Sequence, residues 1–144
     1  MVTTAGEGLS LTSRFTVTEG HQGAPGLAHG GLLSLAFDDA LGSLNYLLRE
    51  PAVTARLETE FLKPVPVGSV LAITARIDGK AGRKIYMSAE GFIEGQSEPA
   101  LKARALFVAV PVEHFTKNAP AELIERIKSD PTVRLSRPGM EINP

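Results

Sequence analysis

Cysteine is absent from the 144-residue sequence, and its absence removes three kinds of chemistry. Without a thiol the chain can form no disulfide, offer no thiolate nucleophile and build no cysteine metal site. Histidine is also scarce, and His21, His29 and His114 have none of the spacings that zinc sites use. We therefore expect no metal.

A charge excess and long apolar runs are lacking too. Fifteen basic and 16 acidic residues give a formal net charge of −1, so nucleic acid is not expected as a partner. No run approaches the roughly 20 apolar residues that a membrane helix needs. The first seven residues show neither a basic nor an apolar leader segment. Together these features predict a cytoplasmic protein without membrane contact.

The alternation of apolar and polar residues predicts a single domain over 1–144, with a core over about 9–112. A short C-terminal helix, over 119–128, and a tail complete residues 113–144. The first eight residues are expected to fray. Glycine and proline breaks separate five predicted strands. These strands are Leu9–Thr18, Val53–Lys63, Ser69–Asp78, Lys84–Glu94 and Ala100–Val110, with a turn over Gly79–Gly82 after the third.

One long helix is predicted from about Gly30 to Arg49, where Pro51 ends it. Its sequence is apolar around nearly the whole circumference, so we expect it to be buried. A buried helix beside five or so antiparallel strands, the last four in a meander, must be wrapped by the sheet. The sequence therefore predicts an α+β hotdog fold, with a five- to six-stranded antiparallel sheet around one helix.

The segment over residues 21–39 carries the most chemical information. A glycine-rich loop leads into His29, Gly30 and Gly31 at the helix start, where free backbone N–H groups favour negative charge. Asp38 follows nine residues after His29, and a carboxylate within an apolar helix is costly to bury. This combination predicts a hydrolytic site for an acyl group.

Asp38 is a better candidate than Asp39, because its helical neighbours are small or polar. The residues three and four positions away from Asp38 are Gly31, Ser34, Gly42 and Asn45. Such a stripe lets a ligand or a partner chain approach closely, whereas Asp39 lies among more apolar residues.

The spacing of His29 and Asp38 bears on the assembly. Nine helical steps correspond to a rise of about 13 Å and end on the opposite face of the helix. If both residues are catalytic, a second subunit must supply one of them, which predicts a composite site across a twofold interface. The residues alone leave other interpretations open, since His29 could be a simple helix cap and Asp38 a structural hydrogen-bonding group.

These residues resemble a known family signature. The run His29-Gly30-Gly31, followed after six residues by Asp38, is similar to the helix motif of hotdog-fold acyl-CoA thioesterases, both the phenylacetate-pathway and the long-chain types. The loop over 22–28 resembles the long-chain subgroup. The resemblance covers about residues 9–110. Further similar positions are Thr54, residues 63–66 and residues 82–84.

The resemblance implies a role for each of four residues. The Gly30 N–H would hold the developing oxyanion, and His29 would orient the thioester. Asp38 of the facing subunit would act as general base on water, or attack directly to give a mixed anhydride. Thr54, from the same subunit as Asp38, would position the water or the carboxylate.

The resemblance also implies a substrate and an assembly. Acyl-CoA would be the substrate, with no cofactor beyond its coenzyme A, in a homodimer that in such proteins often pairs into a tetramer. Many relatives carry Asn or Gln six residues before the histidine, where this chain has Gly23 with Gln22 beside it. The residues expected to bind substrate, the basic ones through its phosphates, are Gln22, Gly31, Lys63, Arg83 and Lys84.

Three other functions compete with a thioesterase. A non-catalytic acyl-CoA binder or sensor would keep the fold but is expected to lose the helix carboxylate, which is present here. A hotdog dehydratase resembles a Gly-Asp-x-Asn-Pro-x-His pattern, which this chain lacks. An interaction domain of the α+β class is the least specific alternative, because fold alone does not settle function.

Overall fold

The structure is a computed structural model that describes residues 2–6, 9–116, 120–122 and 125. Each predicted strand and the long helix are present, with ends within a few residues of those expected. In chain order the elements are β1 (Val2–Ala5), β2 (Ser10–Thr16), a 3₁₀ turn (Glu19–His21), α1 (Gly30–Leu48), β3 (Ala52–Phe61), β4 (Val70–Ala81), β5 (Lys84–Ile93), β6 (Leu101–Ala109) and α2 (Val112–Thr116).

The six strands form one antiparallel sheet in the order β1-β2-β4-β5-β6-β3. β4, β5 and β6 form the expected meander, but β3 does not belong to it. It pairs with β6 at the edge of the sheet, from Ala52↔Ala109 to Phe61↔Leu101. The predicted four-strand meander is therefore wrong at β3, because apolar periodicity marks a strand without indicating its partner.

Two further expectations need correction, and a third lies mostly outside the described residues. Val2–Ala5 does not fray but pairs with β2 as an edge strand. β4 continues through the predicted turn to Ala81, with a register shift between Ile77 and Gly79. The short helix α2 was not expected at its position, whereas the predicted helix over 119–128 lies mostly outside the described residues.

α1 packs one face against the sheet. Gly91 on β5 leaves room for the Phe37 ring, since a Cβ there would come within 2.7 Å of it. The opposite face of α1 is open, with Leu35 53% and Tyr46 72% exposed, so the helix of the single chain is not buried on all sides as expected. The buried helix residues are Leu33, Ala36, Phe37, Ala40, Leu41, Leu44 and Leu48.

The end of α1 sets where β3 begins. Arg49 adopts a left-handed conformation (φ 53°), and its N–H donates to the carbonyls of Asn45 and Tyr46. The next residue, Glu50, forms an ion pair of 2.7 Å with Lys80, whose side chain is only 4% exposed. This pair joins the turn between α1 and β3 to β4.

Candidate active site

His29 caps the N-terminus of α1. Its backbone is extended (φ −68°, ψ 130°), and its ring Nδ1 accepts a hydrogen bond of 2.9 Å from the Gly31 N–H. Within the described part of the chain the Gly30 N–H has no hydrogen-bond partner. The Gly30 N–H is therefore a free backbone donor at the positive end of the helix dipole.

The loop before the helix holds His29 in place. The His29 N–H donates to the His21 carbonyl at 2.7 Å. Gln22, expected to bind substrate, uses its side-chain oxygen to accept from the Gly26 N–H at 3.0 Å. In this structure Gln22 thus stabilises the loop.

Gly23 packs directly against His29. A Cβ at position 23 would lie 2.8 Å from the His29 Cα and 3.2 Å from its ring Cδ2. This is the position at which the resemblance leads one to expect Asn or Gln. Here the space that such a side chain would need is filled by His29 itself.

We expect Gly23→Ala to destabilise the protein, because the new methyl group must displace the backbone of His29. Overpacking of this kind costs about 1–3 kcal/mol of unfolding free energy, which urea titration measures. Gly20→Ala is the matched control, since a Cβ there would meet only the Thr18 hydroxyl at 3.6 Å, an ordinary contact. Equal stability of the two variants would contradict the packing argument.

The polar stripe of α1 faces β3. The Thr54 hydroxyl donates to Asp38 Oδ1 at 2.9 Å, and one turn earlier the Ser34 hydroxyl lies 3.5 Å from the Thr59 hydroxyl. Asp38 is partly buried, whereas Asp39 is exposed. The carboxylate of Asp38 therefore lies next to the hydroxyl of Thr54, the residue that the resemblance pairs with it.

A β-bulge at Ala55 makes this arrangement possible. The pairing of β3 with β6 runs from Thr54↔Phe107 to Arg56↔Leu106, so Ala55 is an extra residue without a partner. Side chains alternate along a strand, and residues five apart would normally point to opposite faces. The extra residue puts both Thr54 and Thr59 on the side covered by α1. The bulge was not predicted, because no glycine marks it in the sequence.

The structure does not bring His29 and Asp38 together in one chain. α1 is continuous from Gly30 to Leu48, so the capping residue and the carboxylate are separated by about 13 Å of helix rise. The separation inferred from the spacing is confirmed by the uninterrupted helix.

The three basic candidates lie at two ends of the sheet. Lys63 follows β3 beside the loop that leads into α1, and its Nζ lies 3.5 Å from Glu98. Arg83 and Lys84 lie at the β4–β5 turn, level with the start of β3, and Arg83 Nε donates to the Ala109 carbonyl at 3.0 Å. A single chain therefore does not gather them around one group.

Among the described residues, no group of three or more His, Cys, Asp and Glu side chains could hold a metal ion. No helix in the described ranges is long and apolar enough to cross a membrane.

One antiparallel sheet packed against a single long helix is the architecture of hotdog-fold proteins. Residues 25–100 match the family model described as Thioesterase superfamily. Because the match spans more than half of the chain, the protein belongs to the thioesterase superfamily.

Individual relatives agree with this assignment. The chain is 36% identical over 94 residues to acyl-coenzyme A thioesterase THEM4 of Bos taurus, which is 64% of this chain and 38% of that protein. This chain spans less than half the length of the curated relatives it matches first.

Solved structures show the same fold. The PaaI protein from the phenylacetic acid degradation operon of E. coli aligns with a TM-score of 0.67 and 20% identity, over 71% of this chain and 73% of that one. The smu.793 protein of Streptococcus mutans, bound to acetyl CoA, aligns with a TM-score of 0.70 and 18% identity, over 75% and 86%. The predicted hotdog fold is confirmed.

Proposed function

We propose that this protein hydrolyses acyl-coenzyme A thioesters to a free acid and coenzyme A. One observation carries the proposal: a single helix presents a free Gly30 N–H at its start and an Asp38 carboxylate bonded to Thr54 on its polar stripe. Two findings support the choice of substrate. The THEM4 relatives are named acyl-coenzyme A thioesterases, and the S. mutans structure contains acetyl CoA.

The helix start suits the developing oxyanion. The Gly30 N–H donates to the thioester carbonyl, and the helix dipole favours the negative charge that forms there. Because His29 Nδ1 accepts from Gly31, the neutral ring carries its proton on Nε2. His29 can therefore donate a second hydrogen bond to the thioester from that nitrogen.

Asp38 supplies the second half of the chemistry. Thr54 donates to one carboxylate oxygen, which leaves the other free to take a proton from water. The oxygen of that water bonds to the carbonyl carbon, the C–S bond breaks, and coenzyme A leaves as a thiolate. In the alternative route an Asp38 oxygen bonds to the carbonyl carbon and the C–S bond breaks, so that coenzyme A leaves as a thiolate. Water then hydrolyses the mixed anhydride, which releases the acid and restores the carboxylate.

A homodimer would complete the site, since one chain keeps the two halves apart. Among the described residues β3 is an edge strand, and its outer backbone groups have no partner strand there. Antiparallel pairing of β3 with its copy about a twofold axis sets the Thr54 end against the partner's Phe61 end. Asp38 then approaches the partner's Gly30, and two equivalent sites result. Tetramers formed from such dimers remain a prediction.

The same twofold pairing would gather the basic residues. Arg83 and Lys84 lie at the Thr54 end of β3, and Lys63 follows its Phe61 end. Antiparallel pairing therefore brings the partner's Lys63 to the end that holds Arg83 and Lys84. We infer that these side chains bind the phosphates of coenzyme A, and that the protein needs no separate cofactor.

Within the superfamily we assign the chain to the His-Gly-Gly to Asp type, with a loop over 22–28 like that of the long-chain subgroup. The assignment rests on the residues quoted for the resemblance. A cytoplasmic location, and the absence of nucleic-acid and membrane partners, stay predictions.

Hydrolysis of a panel of acyl-CoAs, from acetyl to palmitoyl with phenylacetyl and hydroxybenzoyl, tests the proposal. Released thiol is followed with a thiol-reactive dye, to which a cysteine-free protein adds no background. We expect turnover of at least one substrate by a protein that light scattering shows to be a dimer or a tetramer. Tight acyl-CoA binding without turnover would favour the sensor. The absence of both binding and turnover would overturn the proposal.

A further inference from the structure

Phe61, the last residue of β3, and Leu62 directly after it are two adjacent apolar side chains at the surface. They are 52% and 46% exposed, whereas Phe37 of the core is fully buried. Single exposed apolar residues are common in folded proteins, so their position must decide whether they have a role.

The Phe61 ring lies over the start of α1. Its Cζ and Cε1 atoms are 3.5 and 3.6 Å from the point where a Cβ on Gly30 would be, so the ring lies close to the backbone of Gly30. Phe61 comes two residues after Thr59 on β3, so normal alternation puts both side chains on the same face, where the Thr59 hydroxyl faces Ser34 of the helix. The ring therefore lies beside Gly30, whose N–H has no partner within the described part of the chain.

A thioester bound by the Gly30 N–H carries two groups, the acyl group and the pantetheine of coenzyme A. Only the acyl group suits this apolar surface. The carbonyl carbon is the first atom of the acyl group, so an apolar acyl chain leaving it can cover the open half of the Phe61 ring and gain from its burial. The pantetheine arm carries amide groups that would find no hydrogen-bond partner on an aromatic ring.

We propose that Phe61 forms the first wall of an acyl subsite that begins at Gly30. The substrates are then acyl-CoAs whose acyl group extends several carbons beyond the carbonyl as an aliphatic chain or an aromatic ring. This inference rests on the proposed thioesterase function. The competing role for Phe61 is a structural cover that stabilises the helix start.

The test compares acetyl-CoA with octanoyl-CoA for Phe61→Ala, Phe61→Leu and the wild type. Removing the ring is expected to lower kcat/KM for octanoyl-CoA about tenfold or more, because apolar contacts in a specificity pocket are lost. The kcat/KM for acetyl-CoA is expected to change less than about twofold. Phe61→Leu is expected to restore most of the octanoyl-CoA value. Tyr46→Ala removes an aromatic side chain from the far end of α1 and serves as the matched control.

Each alternative gives a different result. An equal fall for both substrates, together with a lower melting temperature, would show a structural cover and overturn the subsite. No change for either substrate would overturn it as well. If the wild type hydrolysed no acyl-CoA, the proposed function would fail. Calorimetric binding of octanoyl-CoA would then test the subsite alone, with weaker binding by Phe61→Ala supporting it and equal binding overturning it.

Discussion

Asp38→Asn is expected to lower kcat for acyl-CoA hydrolysis by about 100-fold or more, the size of effect that loss of a general base produces. Asparagine has nearly the same shape and still accepts the hydrogen bond from Thr54 that Asp38 Oδ1 now accepts. It can neither take a proton from water nor attack a carbonyl. The loss would therefore report chemistry rather than packing, with substrate binding changed little.

The adjacent carboxylate offers a matched control. Asp39→Asn removes the same charge from an exposed position one residue along the helix, and we expect kcat within about twofold of the wild type. Thiol release gives the rates, and light scattering checks that both variants keep the assembly of the wild type. A large loss in Asp39→Asn and a small one in Asp38→Asn would reverse the assignment.

Deletion of Ala55 is expected to have a comparably large effect, although this residue contacts no substrate in the proposed mechanism. Without the extra residue, normal alternation turns Thr54 away from α1, and Asp38 loses the hydroxyl that orients it. Misplacement of a catalytic group by about an ångström can cost on the order of 100-fold in rate, and we expect kcat to fall by about that much.

Two variants separate the bulge from a general loss of folding. Ala55→Ser keeps the number of residues and is expected to keep the activity. Thr54→Val removes only the hydroxyl and is expected to lose activity in the same direction as the deletion, while circular dichroism and melting temperature stay close to those of the wild type. A folded deletion variant with full activity would show that the bulge does not position Thr54.

Much of the fold could be predicted from the sequence, because strands and helix are local patterns. Apolar alternation and glycine breaks located five of the six strands, and the glycine pair and Pro51 bounded the helix. The position of β3 beside β6 could not be predicted, since it depends on contacts between segments far apart in the chain. β1 was missed because its short, weakly apolar sequence forms a strand only through its pairing with β2.

The site was predictable in part for the same reason. Helical spacing places Asp38 on a polar stripe and keeps it away from His29, and the structure shows both. The link from Asp38 to Thr54 came from the resemblance alone. Neither the bulge that turns Thr54 inwards nor the contact between Gly23 and His29 has a local sequence signal, because both depend on tertiary packing.

The edge position of β3 also has a consequence for the order of folding. Asp38 and Thr54 are only 16 residues apart, and both leave the ribosome before β6 is made. Within the described part of the chain, however, β3 pairs only with β6, the last strand to be made. Non-local pairing of this kind forms late, because the intervening chain must first be ordered. The geometry of the carboxylate is thus completed only when Leu101–Ala109 has joined the sheet.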